Sequence, residues 1–272
     1  MAEETALHVE EPAAPVTPAE PKLEEHHEDS TTISEYLESL LVTVLLALFG
    51  TSFIVQAFKI PSASMEGTLL IGDHLLVNKF IFGGSGAWYE KFLPYRPVRR
   101  GDIIVFKFPY DDHPHYVKRV IGLPGDRLRI INQHVYVNGE PLDEPYVVHD
   151  PLGADSFGDD FPPTSRYFLE SGLRPEWATR LFDYVDRSSL VVPPNRYFVM
   201  GDNRDRSWDS RYWGFVNRDA IIGRPLIIYW SVAATSEDYT DRTLAGVFRG
   251  FADSLLHLPS RTRWNRMLHG VH

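Results

Sequence analysis

Tyr116-Val117-Lys118-Arg119-Val120-Ile121-Gly122-Leu123-Pro124-Gly125-Asp126 is a strand that runs into a turn. Residues 116–121 alternate faces, with Tyr116, Lys118 and Val120 on one side. Leu123-Pro124-Gly125-Asp126 has Pro and Gly where a type II turn needs them. Upstream, Asp102-Ile103-Ile104-Val105-Phe106-Lys107-Phe108 is a buried-strand run, introduced by Arg100-Gly101 and closed by Pro109. Downstream, residues 127–131 and 135–137 read as further strands, and Asn138-Gly139 as a type I′ hairpin turn. Residues 197–200 and 221–230 complete a mainly β domain.

Working outward, residues 143–194 mix Pro, Gly, Asp and aromatic residues without clear period, which predicts a small subdomain inserted into a β domain made of 59–142 and 195–232. Residues 40–58 carry no charge and are long enough to cross a bilayer, so 34–58 is expected to be a transmembrane helix. The acidic flank before this run is unlike the basic start of a cleaved signal peptide. Residues 1–33 are rich in Glu, Ala and Pro and poor in large apolar residues, which predicts a disordered acidic tail. At the other end, 233–272, Leu244, Val247, Phe248, Phe251, Leu255 and Leu258 recur at helical spacing, which predicts an amphipathic helix. Arg261, Arg263, Trp264 and Arg266 follow as a basic tail. Two arrangements stay open for this segment: packing on the domain, or lying on a bilayer surface of anionic lipid.

The chain has 272 residues, a formal net charge of -10 and no cysteine. The charge argues against nucleic acid as a partner. The missing thiols exclude disulfides, cysteine catalysis and Cys-ligated zinc. His113-Pro114-His115 lacks the further ligands of a recognised metal site, so no metal and no cofactor are expected. Gly83-Gly84-Ser85-Gly86 lacks the Lys-Ser/Thr ending of a phosphate-binding loop.

Ile60-Pro61-Ser62-Ala63-Ser64-Met65 follows the apolar run. Serine beside proline is ordinary in loops, and Lys118 would be at home on an edge strand with its ammonium in water. Nothing in composition or spacing brings Ser64 and Lys118 together. A Ser-His-Asp arrangement through His74 or His134 is also compatible with spacing, although no Gly-x-Ser-x-Gly elbow accompanies it.

Ile60-Pro61-Ser62-Ala63-Ser64-Met65 with Thr68-Leu69 nevertheless resembles the serine box of bacterial type I signal peptidases. Residues 100–106 resemble that family's next strand, and 116–126 its lysine box. Gly201-Asp202-Asn203-Arg204-Asp205-Arg206-Ser207-Trp208-Asp209-Ser210-Arg211-Tyr212-Trp213-Gly214-Phe215-Val216 resembles its last box. The resemblance implies a coiled antiparallel β-sheet and a membrane-bound Ser/Lys endopeptidase that cuts signal peptides from pre-proteins after small-x-small sites. It also implies that the enzyme sits on the outer face of a bacterial cytoplasmic membrane with its tail inside.

By the same resemblance Ser64 is the nucleophile and Lys118 the general base, with Ser207 orienting the lysine amine. The oxyanion hole is the Ser64 N–H and the Ser62 hydroxyl. Asp209 and Arg211 brace the loop, while Asp102 and Arg119 are structural. Ile60, Pro61, Met65, Leu69 and Tyr116 would line the pocket for the residue before the cut. Phe58, Leu75, Val105 and Val117 would line the pocket two residues further back. Gly67 stands where the family often has Pro, which predicts a less rigid loop after the nucleophile. Two other classes remain open: a self-cleaving or regulatory Ser/Lys protease, and a non-enzymatic membrane scaffold of the same fold.

Overall fold

The computed structural model describes residues 33–50, 55–83, 95–111, 115–150, 156–164, 172–235 and 258–272. The acidic tail, His113-Pro114, most of the Gly83–Gly86 loop and the helical stripe from Leu244 to Leu255 lie outside them.

The chain falls into two units, divided after Val44. A helix, Ile33–Phe49, begins the description and has no buried residue. Its leucines are open, Leu46 at 66 % and Leu45 at 57 %. It has 17 residues, and among the described residues no helix is long and apolar enough to cross a membrane. The expected single helix over 34–58 is corrected in its second part: Val55–Lys59 is a strand, β1. It pairs antiparallel with β2, Asp73–Asn78, from Val55 opposite Asn78 to Lys59 opposite His74. A short apolar run does not distinguish helix from strand by periodicity. The choice falls to the partner strand, whose open edge supplies the hydrogen bonds.

The remaining strands are β3 (Ile103–Lys107), β4 (His115–Gly122), β5 (Arg127–Ile131), β6 (His134–Val137), β7 (Glu140–Pro141), β8 (Val185–Asp186), β9 (Ser189–Val191), β10 (Arg196–Met200), β11 (Val216–Asn217), β12 (Ile221–Ser231) and β13 (His269–Gly270). The large antiparallel sheet has the order β1-β2-β12-β3-β4-β10-β11, with β13 on β12. β12 pairs first with β3 and then with β2, and its register slips between Ile221 and Gly223, Pro225 and Ile227, and Ile228 and Trp230. Such irregularities bend a strand and increase its twist. The sheet consequently coils: β1 and β4 are far apart in strand order, yet the rings of Phe58 and His115 lie 5.4 Å apart.

A second sheet, β7-β6-β5-β9-β8, is inserted between β4 and β10, which are themselves paired. The inserted unit therefore starts near Arg127, earlier than the expected 143. The strands over 127–141 were readable as strands, but alternation says nothing about which sheet a strand joins. Ile121, Leu128, Ile130, Phe161, Trp177, Leu190, Phe198 and Phe215 form a core that ties this sheet to the large one.

The described C-terminal residues differ from a helix with a free basic tail. After a short helix, Leu258–Arg261, the chain adds β13 to β12 and buries Val271 beside Ile60, Met65 and Leu69. Arg266 Nη2 reaches Asp73 Oδ2 at 2.6 Å and the Thr68 carbonyl at 2.9 Å. Arg263 Nη1 donates to the Ile71 carbonyl at 3.0 Å. Of the two arrangements left open for this segment, these two arginines follow the first and serve the domain itself. The reason is Asp73, which is fully buried and also accepts from Leu70 N and the Ser231 hydroxyl. A buried carboxylate without a cation would be costly. Arg266→Ala is therefore expected to destabilise the domain by about 2–3 kcal/mol, read as a lower denaturant midpoint at unchanged slope. An unchanged midpoint would mean that Asp73 does not need this partner.

Candidate active site

β1 leads into Ile60-Pro61, and the chain turns there through a short 3-10 helix, Ala63–Met65. Ser64 sits in that turn, 7 % exposed. Its N–H lies in the first turn, where helical geometry leaves donors without intrahelical partners. Ser62, extended at φ -133, places its hydroxyl 3.4 Å from Ser64 Oγ.

Lys118 is in the middle of β4, on a sheet covered on both faces, and is 2 % exposed. Its Nζ donates a short hydrogen bond to Ser64 Oγ. Burial lowers its pKa to about 8; Asp209 opposes this, Arg211 adds to it, and Asp202 opposes it. Among the described residues the hydroxyl of Ser64 has Lys118 and Ser62 as its hydrogen-bonding neighbours. His74 instead stacks on Trp230, 5.2 Å between rings, and His134 belongs to β6 of the second sheet. Neither histidine forms a triad with Ser64. Among the described residues no group of His, Asp and Glu could hold a metal ion.

The segment 201–211 braces the pair from behind. Ser207 donates to Asp209 Oδ2 at 2.7 Å and accepts from the Gly201 N–H at 3.1 Å. The hydroxyl is thereby oriented by Asp209 and Gly201, and an oxygen that donates to a carboxylate keeps a lone pair able to accept from the lysine amine. Asp209 is buried, which would raise its pKa, but Arg211, Ser207 and the Gly201 N–H together hold it below the usual carboxylate value. Arg211 Nε lies 2.9 Å from Asp209 Oδ1, and its Nη2 donates to the Arg204 carbonyl at 2.6 Å.

Gly201 was not singled out by sequence reasoning. A Cβ there would collide with the Ser207 hydroxyl and the Ser64 carbonyl. Asn203 N also donates to the Ser64 carbonyl, at 3.2 Å. The available signal was a glycine closing the buried strand Tyr197-Phe198-Val199-Met200.

Arg119 points to the other face of β4 and forms a paired bridge to Asp202, at 2.8 and 2.7 Å. Thr68 donates to the same carboxylate at 2.6 Å. The guanidinium stacks 3.8 Å from the Tyr146 ring, whose phenol pKa is raised by burial and by Glu144. Val148 N donates to the Asp202 carbonyl and Arg204 N to the Val148 carbonyl. Gly67 lies under this strap with φ +111, and a Cβ would sit 2.8 Å from Val148 Cγ2. Proline cannot adopt that φ. The loop after the nucleophile is thus held by a contact, not loosened as expected. Asp102 pairs with Arg96, two bonds of 2.7 Å, away from the reacting atoms.

Ile60, Met65, Leu69, Leu75 and Val105 gather in one cluster, with Phe58 and Val117 packed against it. Leu69, Leu75 and Val105 have no exposed surface, so Phe58 and Val117, with the neighbouring Pro61, are the residues that can present one. Tyr116 does not join them. It lies on the face of β4 that carries Lys118, with its ring 5.0 Å from Phe108 and 6.3 Å from Phe106.

Comparison with known proteins gives the family of the chain. Residues 33–230 match the family model described as signal peptidase, peptidase S26. The chain is 35 % identical over 211 residues to a signal peptidase I of Pseudomonas aeruginosa, covering 72 % of each chain. It is 34 % identical over 211 residues to one of Pseudomonas fluorescens, again covering 72 % of each. It is 32 % identical over 219 residues to one of Rickettsia typhi, covering 75 % of this chain and 83 % of that one. The chain belongs to the signal peptidase family, peptidase S26.

Proposed function

We propose that this chain is a serine endopeptidase that removes signal peptides from exported pre-proteins, with Ser64 as nucleophile and Lys118 as general base. The observation that carries the reading is the contact of Lys118 Nζ with Ser64 Oγ at a lysine whose pKa is lowered to about 8. A serine hydroxyl attacks only when a neighbouring base takes its proton, and a lysine can do so only when neutral.

The neutral Lys118 amine takes the Ser64 proton as Oγ bonds to the scissile carbonyl carbon. The oxyanion is held by the Ser64 N–H and the Ser62 hydroxyl. Collapse breaks the C–N bond, and the Lys118 ammonium returns its proton to the departing amine. Lys118 then takes a proton from water, hydroxide attacks the acyl ester, and the proton returns to Ser64 Oγ. Ser207 acts one step removed: it holds Asp209, which with Arg211 fixes the loop behind Ser64.

The substrate fits as an extended strand. β10 pairs with β4 only at Arg119, Val120 and Gly122, and β1 is at the end of the sheet. The outer edges of β1 and of residues 115–118 therefore face a common groove that ends at Ser64. Main-chain bonding to open strand edges is a general way to hold a peptide. The shallow surface of Phe58, Pro61 and Val117, floored by the buried Ile60, Met65 and Leu69, accepts small side chains and rejects larger ones, giving the small-x-small rule. The apolar helix Ile33–Phe49 is read as part of an anchor in the bacterial cytoplasmic membrane, with the catalytic unit outside and the acidic tail inside.

Ser64→Ala and Lys118→Ala should each lower kcat/KM on a pre-protein with a small-x-small site by at least about 10³-fold. Lys118→Arg should fail equally, since guanidinium stays charged. Ser62→Ala should cost about 10²–10³-fold. Gel-based cleavage assays on folded variants check these, and an active Lys118→Ala protein would overturn the mechanism.

The pH dependence has two parts. Activity should rise with pH through an apparent pKa near 8, as Lys118 loses its proton. The folded pKa is lowered from the 10.5 of the free side chain. Between those two values the unfolded chain binds more protons, so stability should increase as pH rises across that window, by roughly 3 kcal/mol in total. Lys118→Met should remove this slope and be the more stable protein at neutral pH. Denaturation curves at several pH values measure it, and a wild-type slope of opposite sign would contradict a buried neutral lysine.

A further inference from the structure

Side chains of an extended peptide alternate between two faces. A substrate strand lying between β1 and β4, as read above, therefore turns the two small residues of a small-x-small site one way and the middle residue the other. The small residues meet the surface of Phe58, Pro61 and Val117 over the buried cluster of Ile60, Met65 and Leu69. The face of β4 that carries Lys118 is walled by aromatic rings instead.

Tyr116 stands two residues before Lys118 on that face. Its ring is 5.0 Å from Phe108, and Phe108 is 5.4 Å from Trp208. Phe108 is buried, whereas Trp208 keeps 37 % of its surface open. Trp208 is held firmly all the same. Its Nε1 donates to the Gly172 carbonyl at 3.0 Å, and its own carbonyl accepts from Trp213 Nε1 at 3.2 Å. In the chain it lies between Ser207 and Asp209, both buried in the brace of Ser64. An indole fixed on its inner side, open on its outer side and tied to the loop behind the nucleophile is a preformed surface for a ligand side chain. Arg174 stands over the far end of the row, 4.5 Å from the Tyr110 ring and 5.9 Å from that of Phe108.

We infer that Trp208, backed by Phe108 and Tyr116, is a specificity-determining wall for the middle residue of the small-x-small site. The chain prefers a large aromatic or apolar side chain there over alanine. A ring laid against the indole removes apolar area from water and gains aromatic contact beyond that area.

The test uses the full-length protein in detergent and peptides that differ only at the middle position, with alanine at both small positions. The wild-type kcat/KM for phenylalanine should exceed that for alanine about five- to tenfold. Trp208→Ala should bring the ratio of phenylalanine to alanine close to unity. Trp208→Phe keeps a ring while losing the bond to Gly172, and should keep most of the preference. A purely structural role would lower both substrates alike and leave the ratio unchanged. A flat wild-type ratio, or a ratio that survives Trp208→Ala, would overturn the proposal. If small residues are required but the middle position is flat, only this proposal fails. If leucine at both small positions is cut as fast as alanine, the strand reading fails and takes the proposal with it.

Discussion

A lysine amine enclosed beside a serine hydroxyl constrains everything around it. Lys118 can stay neutral only if no carboxylate nearby is free to hold it protonated. Two carboxylates are close enough to act on it, Asp209 and Asp202. Each is bound to its own arginine, Asp209 to Arg211 and Asp202 to Arg119, and all four side chains are buried. The charges that build the scaffold are thereby matched among themselves, and burial governs how readily the lysine gives up its proton. Buried pairs of this kind add little net stability, because desolvation offsets most of their attraction. Here they leave the base free of a counterion while still tying β4 to the loop at 201–211.

The same economy appears in the backbone around Ser64. Its carbonyl is approached by Gly201 and bonded by Asn203 N. The loop after it is packed under Val148 at Gly67, and Val148 is itself bonded to Asp202 and Arg204 through the main chain. The segment 144–150 thus links the inserted sheet to the serine turn. A nucleophile in a three-residue turn would otherwise have few contacts to fix it, and a shift of about 1 Å at a reacting group is enough to cost about 10²-fold in rate.

Much of this was legible in the sequence, and the part that was not has a common cause. The strands over 103–107 and 116–121 were marked by alternation and by Gly and Pro at their ends. The pairing of Ser64 with Lys118 was readable only through resemblance, since 54 residues separate them and each is ordinary alone. Val55–Lys59 was assigned to the wrong element because β-branched and aromatic residues suit a strand edge as well as an apolar helix. The bond of Ser207 to Asp209 was not legible because sequence spacing cannot show which neighbours meet in space. The segment of Arg263 and Arg266 was left open between domain and lipid because nothing near them in sequence reveals Asp73.

That last contact has a consequence for how the protein is made. Asp73 receives Arg266 from 193 residues away, and β2 pairs along its length with β12. The serine turn lies just before β2, so its surroundings are completed only by some of the last strands to be synthesised. Closing so long a loop adds little to the equilibrium cost, since that cost grows only with the logarithm of length. It does slow assembly, because distant pairings must form before they contribute. Ser64 and Lys118 are thus in the growing chain long before the contact that completes the surroundings of the serine turn, which comes only once residue 266 has been made.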